Sequence, residues 1–133
     1  MLDDDRFLEA FEACDVDEFR HHDHVRLAWV MLRRGSLEDT LGRFSAALRR
    51  FAAHQGADGL YHQTITWTYL FAINERMKAL GPDHDWPAFR DANPDLFASH
   101  RDFLERYYTP EVLDSELARR EYVLPDRGYR LAA

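Results

Sequence analysis

Three histidines stand where a helical pattern calls for apolar side chains. They are His21 and His24 in Phe19-Arg20-His21-His22-Asp23-His24-Val25, and His62 in Tyr61-His62-Gln63-Thr64-Ile65-Thr66-Trp67. A neutral imidazole ligates divalent transition metals, and its ordinary pKa of about 6.5 also suits proton transfer near neutrality. Histidines three apart on a helix lie one turn from each other and can aim at one centre, with a third supplied by a facing helix. The trio therefore predicts a metal centre for Zn, Fe, Co or Ni, with open positions for water or substrate. Metal-free proton transfer is a second chemistry open to these residues. A third reading makes them structural histidines bonded to backbone, threonine or tyrosine, and all three stay open at this point.

At about 100° per residue, His21 shares a helix face with Val25, Ala28 and Leu32, and His24 lies beside that face. His22 and Asp23 turn toward water. On a later helix the same arithmetic groups His62, Thr66, Tyr69, Ile73 and Arg76 in a polar stripe among large apolar residues. A bundle interior tolerates such a stripe only if its polar groups find partners, because each unsatisfied one costs about 1–3 kcal/mol. Two polar stripes on neighbouring helices predict a shared pocket. Thr66, Tyr69 and Arg76 are its substrate-orienting candidates, with Arg76 suited to an anionic group or, more plainly, to the end of its helix. Glu18 or Tyr69 is a candidate oxygen ligand or outer partner of the metal.

Familiar motifs narrow the field. A carboxylate-bridged di-iron bundle needs Glu-x-x-His on two helices; Glu18-Phe19-Arg20-His21 supplies the motif once and no second copy exists. His-Glu-x-x-His is absent, as are a nucleophile elbow and a phosphate-binding glycine loop. His22-Asp23 resembles the paired ligand of HD-type phosphohydrolases, but no histidine precedes His21 and the pair faces outward. His54 and His84 fall near helix ends and are expected to be solvated, and His100 at a core edge. Cys14, the only cysteine, reads as a small apolar residue on a helix and rules out an intramolecular disulfide.

The elements that must position these side chains are helical. A first helix is expected over roughly Asp4 to Cys14, and a second from His21 to Arg34, stopped by Gly35. Ser36 caps a third, whose Leu37, Leu41, Phe44, Leu48 and Phe51 make a core stripe. The fourth is placed from about Leu60 to Leu80, before Gly81-Pro82. A short piece covers Pro87 to Asp91. Asn93-Pro94 opens a helix to about Tyr107, and Thr109-Pro110-Glu111 opens a last one to about Arg120. The fold class is thus an all-α bundle of about four main helices with shorter C-terminal ones, one domain over 1–133. Residues 121–133 form an irregular tail expected to pack over the bundle mouth or meet a second subunit.

Hydrophobic residues make up 46% and aromatics 14% of 133 residues, enough for a buried core. A net charge of −7 argues against a nucleic-acid or anionic-membrane partner, both of which want a basic face. No apolar run approaches the roughly 20 residues of a membrane span, the N-terminus is acidic, and a cytoplasmic location is expected.

Phe19-x-His21-x-x-His24 followed by Tyr61-His62-x-Thr64-x-Thr66 resembles a group of small, uncharacterised bacterial helical proteins over about Phe19 to Met77. That resemblance implies that His21, His24, His62, Thr64 and Thr66 belong together, which adds Thr64 to the substrate-binding candidates. It carries no activity. The leading expectation is a histidine-lined pocket of a metal-dependent enzyme. The alternative is a non-catalytic module binding a small molecule, a protein or a second copy of itself as a homodimer, with its histidines bonded in the core.

Overall fold

The computed structural model describes residues 3–14 and 20–127. Four longer helices make the body: α1 (Asp4–Glu12), α2 (His21–Arg34), α3 (Leu37–His54) and α4 (Gln63–Leu80). Four short ones follow: α5 (Trp86–Ala92), α6 (His100–Leu104), α7 (Pro110–Leu113) and α8 (Glu116–Arg120). Among the described residues there is no strand, and no helix is long and apolar enough to cross a membrane.

Side chains that accept backbone N–H bonds set most of the helix starts. Asp3, Ser36, Asp85, Ser99, Thr109 and Ser115 cap α1, α3, α5, α6, α7 and α8 respectively. The Asp23 carboxylate accepts from the Arg20 N–H at the start of α2. Helix α4 is capped by a histidine: His62 Nδ1 accepts from the Ile65 N–H at 3.1 Å. It ends at Gly81, whose φ of 86° is a conformation that glycine adopts without a side-chain clash. Cys14 was expected on α1 and instead follows it, at φ 57°.

The centre of the packing is α4, which touches α2, α3, α5 and α8, while α1 closes the other side of α2 and α3. Phe11, Leu27, Leu70, Phe89, Leu96, Leu104, Tyr108 and Leu113 are fully buried between them. Two sequence expectations fail at the C-terminal side for one reason, local competition for caps. The helix expected from Pro94 is a single 3-10 turn, Pro94–Leu96, before α6. The Asn93 side chain does not cap it; Nδ2 donates to Phe89 O and Oδ1 accepts from Arg76. The helix expected from Pro110 to Arg120 is split into α7 and α8. At the break the Ser115 hydroxyl donates to Val112 O and accepts from Ala118 N–H.

Residues 121–127 pack against α4 and the segment before α7, away from the cavity described below. Tyr122 lies against Trp67 and Phe71. The Arg127 N–H donates to Tyr107 O, and the Asp126 carboxylate accepts from the N–H and hydroxyl of Thr109. Thr64, with no exposed surface, is the anchor: its hydroxyl donates to Glu121 O at 2.8 Å and accepts from Val123 N–H at 3.1 Å. Thr64→Val keeps the shape and strands both backbone groups. It should lower unfolding stability by about 1–3 kcal/mol and speed amide exchange at Val123, read by urea unfolding and hydrogen exchange.

Candidate functional site

Helices α2, α3 and α4 do not close completely on one another. Between them lies a cavity of about 430 Å³. Val25 and Ala28 of α2, Phe44, Leu48, Phe51 and Ala52 of α3, and Ile65, Leu70 and Ile73 of α4 give it apolar walls. Gln55, Ala57, Leu60 and Tyr61, from the end of α3 and the connection to α4, border it where the chain is partly or wholly exposed, and so mark its opening. Leu60 is the extreme case, an apolar side chain 82% exposed at that rim. Besides Gln55 and Tyr61 at that rim, the polar residues of the lining are His21, His24, His62, Thr66 and Tyr69.

The cavity thus gathers five of the seven residues singled out by spacing, and two lie elsewhere. Thr64 faces the tail. Arg76 is held by Asp95 through paired bonds of 2.6 and 2.8 Å and by Asn93 at 3.1 Å, and Arg106 binds the same carboxylate at 3.0 Å. This pairing holds Asp95 down at about 2. Arg76 therefore ties α4 to the Pro94–Leu96 turn and does not reach the cavity.

The histidines do not form a ligand set for a metal. His62 has both ring nitrogens occupied by backbone: Nδ1 accepts from Ile65 N–H, so Nε2 carries the proton and donates to Leu113 O at 2.8 Å. A metal ligand needs a lone pair, and this ring has none left. His21 Nε2 is 2.7 Å from Leu96 O and must be its donor. Among the described residues, no group of three His, Cys, Asp or Glu side chains is placed to hold a metal ion. Glu18, the candidate oxygen ligand, lies outside the described residues. The position of His62 is the physical reason the spacing argument misleads: it precedes α4, so the face arithmetic that aimed its ring at the other histidines does not apply to it.

His21, His24 and Tyr69 nonetheless make a distinctive corner. The His21 and Tyr69 rings meet edge-on at 4.9 Å, and Tyr69 stacks on Phe103 at 4.8 Å. Burial, and then the Asp95 charge, push the Tyr69 hydroxyl pKa up, so it stays protonated. That hydroxyl is buried without a hydrogen-bond partner. Burial and the neighbouring His21 lower His24 from the ordinary 6.5 to about 4, against a smaller opposing pull from Asp23, so it is neutral at physiological pH. Thr66 lines the cavity with its hydroxyl already donating to His62 O at 2.7 Å.

Other histidines sort as follows. His22 is exposed, as expected, although its ring rests on Trp86 and Phe97. His84 is not a solvated loop residue. It accepts from Trp29 Nε1 at 3.0 Å and donates from Nδ1 to Gly81 O at 2.6 Å, binding α2 to the end of α4. What sequence reasoning missed is the space itself. Phe44, Leu48 and Phe51 read as a core stripe, and an apolar stripe looks the same whether it meets a neighbour or lines a void. No family model, curated protein or solved structure matches this chain.

Two outcomes follow for the histidines. His62→Ala removes a helix cap and strands Leu113 O, and should cost about 1–3 kcal/mol by urea unfolding, whereas His62→Asn, a good cap, should recover part of that loss. For His24 the folded pKa lies below the unfolded one, so its contribution is complete above 6.5 and is lost as pH falls toward about 4. Unfolding measured across that window should show stability falling by up to about 3 kcal/mol, and His24→Leu should flatten the slope. Asp95 is shifted in the same direction and so acts in the same sense, but at lower pH, its contribution being lost as pH falls from the ordinary 3.8 toward about 2.

Proposed function

We propose that this protein is a binding module for a small, mainly apolar molecule, held in the cavity between α2, α3 and α4 and admitted at the α3–α4 connection. The observation that carries this reading is the cavity itself. Its volume, about 430 Å³, falls in the range of small-molecule sites, and its lining is apolar with a few polar groups gathered from α2 and α4. Protein interiors otherwise pack to crystal density, and an unfilled space of this size loses dispersion contacts on every wall. A ligand restores them, at roughly 25 cal/mol for each Å² of apolar surface it covers.

The Tyr69 corner supports the same reading. A buried hydroxyl without a partner costs about 1–3 kcal/mol, and such groups gather where a site waits for a missing component. His24 lines the same cavity and, being neutral, puts no buried charge against an apolar ligand. A neutral polar function of the ligand fits this end of the cavity.

N-phenyl-1-naphthylamine, a neutral apolar fluorophore, is the probe of choice. Wild-type protein should enhance its fluorescence saturably with a Kd on the order of micromolar. Ala52→Trp, which fills the cavity from the α3 wall, should weaken binding about tenfold or more while far-ultraviolet circular dichroism is unchanged. Absence of saturable binding, or binding indifferent to this substitution, would sink the reading.

A further inference from the structure

Tyr61 borders the apolar cavity on one side and a second cleft on the other. That cleft, about 320 Å³, is lined by Tyr61 with Arg49, Arg119 and Arg120. The Arg49 guanidinium lies over the Tyr61 ring at 4.8 Å and donates to Gln63 Oε1 at 3.2 Å. Arg119 and Arg120, at the end of α8, share a single carboxylate, Glu116; Arg119 binds it through Nε at 3.0 Å and again through Nη2, while Arg120 Nε stands 3.9 Å away. Three guanidinium groups around one paired carboxylate leave this cleft cationic, in a chain of net charge −7. The long-range field of the chain disfavours anions, but it is screened beyond about 8 Å at physiological salt, so the local arginines decide what settles there.

From this juxtaposition we infer that the ligand is a single-chain anionic amphiphile, its apolar chain in the cavity and its acidic head group in the arginine cleft beyond Tyr61. This rests on the binding reading above and adds the chemical class. A guanidinium presents paired N–H groups matched to the two oxygens of a carboxylate, a sulfonate or a phosphate monoester, and it sheds water more readily than an ammonium. Tyr61 suits the junction: an aromatic face toward the chain, and a ring that fixes Arg49 by cation–π contact. The exposed Leu60 beside it covers a chain crossing the rim. The polar corner at Tyr69 then receives a hydroxyl or carbonyl carried along the chain, and the head group does not have to enter the interior, where an unpaired charge is costly.

The test is displacement of N-phenyl-1-naphthylamine by amphiphiles of equal chain length: dodecanoate, dodecanol and dodecyltrimethylammonium. Dodecanoate should compete about tenfold or more better than dodecanol at low salt, the margin shrinking as salt rises, and the cation should compete worst. The double variant Arg119→Gln/Arg120→Gln, at surface positions, should lose that preference and leave dodecanol as it was. Arg120→Glu should shift the preference toward the cation, which a general loss of structure could not do. If the fluorophore binds but the two neutral and acidic chains compete equally, the head-group assignment is overturned and the binding reading survives. If neither binds, both fall. Co-sedimentation with phosphatidylglycerol vesicles that free dodecanoate does not reverse would assign the arginines to a membrane surface and overturn the inference as well.

Discussion

The first turn of α4 is the constraint from which the rest of the arrangement follows. A helix packed on several sides cannot leave its opening N–H groups to water, so they must be met from within the protein. His62 meets one with Nδ1 and, by carrying its proton on Nε2, reaches across to Leu113 at the end of α7. Two residues on, Thr64 binds Glu121 and Val123. The start of the central helix is therefore also the dock for everything after α6. Thr66 and Thr68 return their hydroxyls to carbonyls one turn back, His62 O and Thr64 O, so that α4 can bury polar side chains without orphaning them.

Against that economy the Tyr69 hydroxyl stands out. Its neighbours along α4 are satisfied and it is not. It lies on the stretch of α4 that borders the cavity, its ring edge-on to that of His21, and His24, kept neutral by burial, lines the same cavity. The missing volume and this missing partner occur in one region, while another buried donor without a partner, Trp86 Nε1, lies outside it. The remaining strong electrostatics of this part of the molecule, Arg76 and Arg106 on Asp95, lie outside it and hold α4 to the turn before α6.

Much of the helical frame was legible in the sequence because its punctuation is chemical. Arg34-Gly35-Ser36 ends one helix and caps the next, and the structure turns there. The start of α4 was not legible, because histidine is outside the usual set of capping residues and a Leu60 start gave an equally good apolar pattern. That error of a few residues is what turned a cap into a supposed ligand. The C-terminal breaks were written in Ser99 and Ser115, but a serine inside an apolar period reads equally as a solvated helix position. His21, His24, Thr66 and Tyr69 fall together at the cavity because helical periodicity fixes faces, whereas His62 borders it from the N-cap position, outside that periodicity. Their chemistry did not follow, because the bonds that decide it join residues 51 and 75 positions apart.

The rim of the cavity and the C-terminal tail are mechanically one piece. Tyr61 borders the opening, His62 is bonded to α7, and Thr64 grips the chain at Glu121 and Val123. Widening the opening by swinging this segment outward requires either breaking those bonds or dragging α7, α8 and the tail along as a lever. Entry at the opposite bank, where α3 gives way to Gln55 and Gly56, strains none of them. The α4 bank of the opening is therefore the braced one, and the end of α3 carries none of these ties.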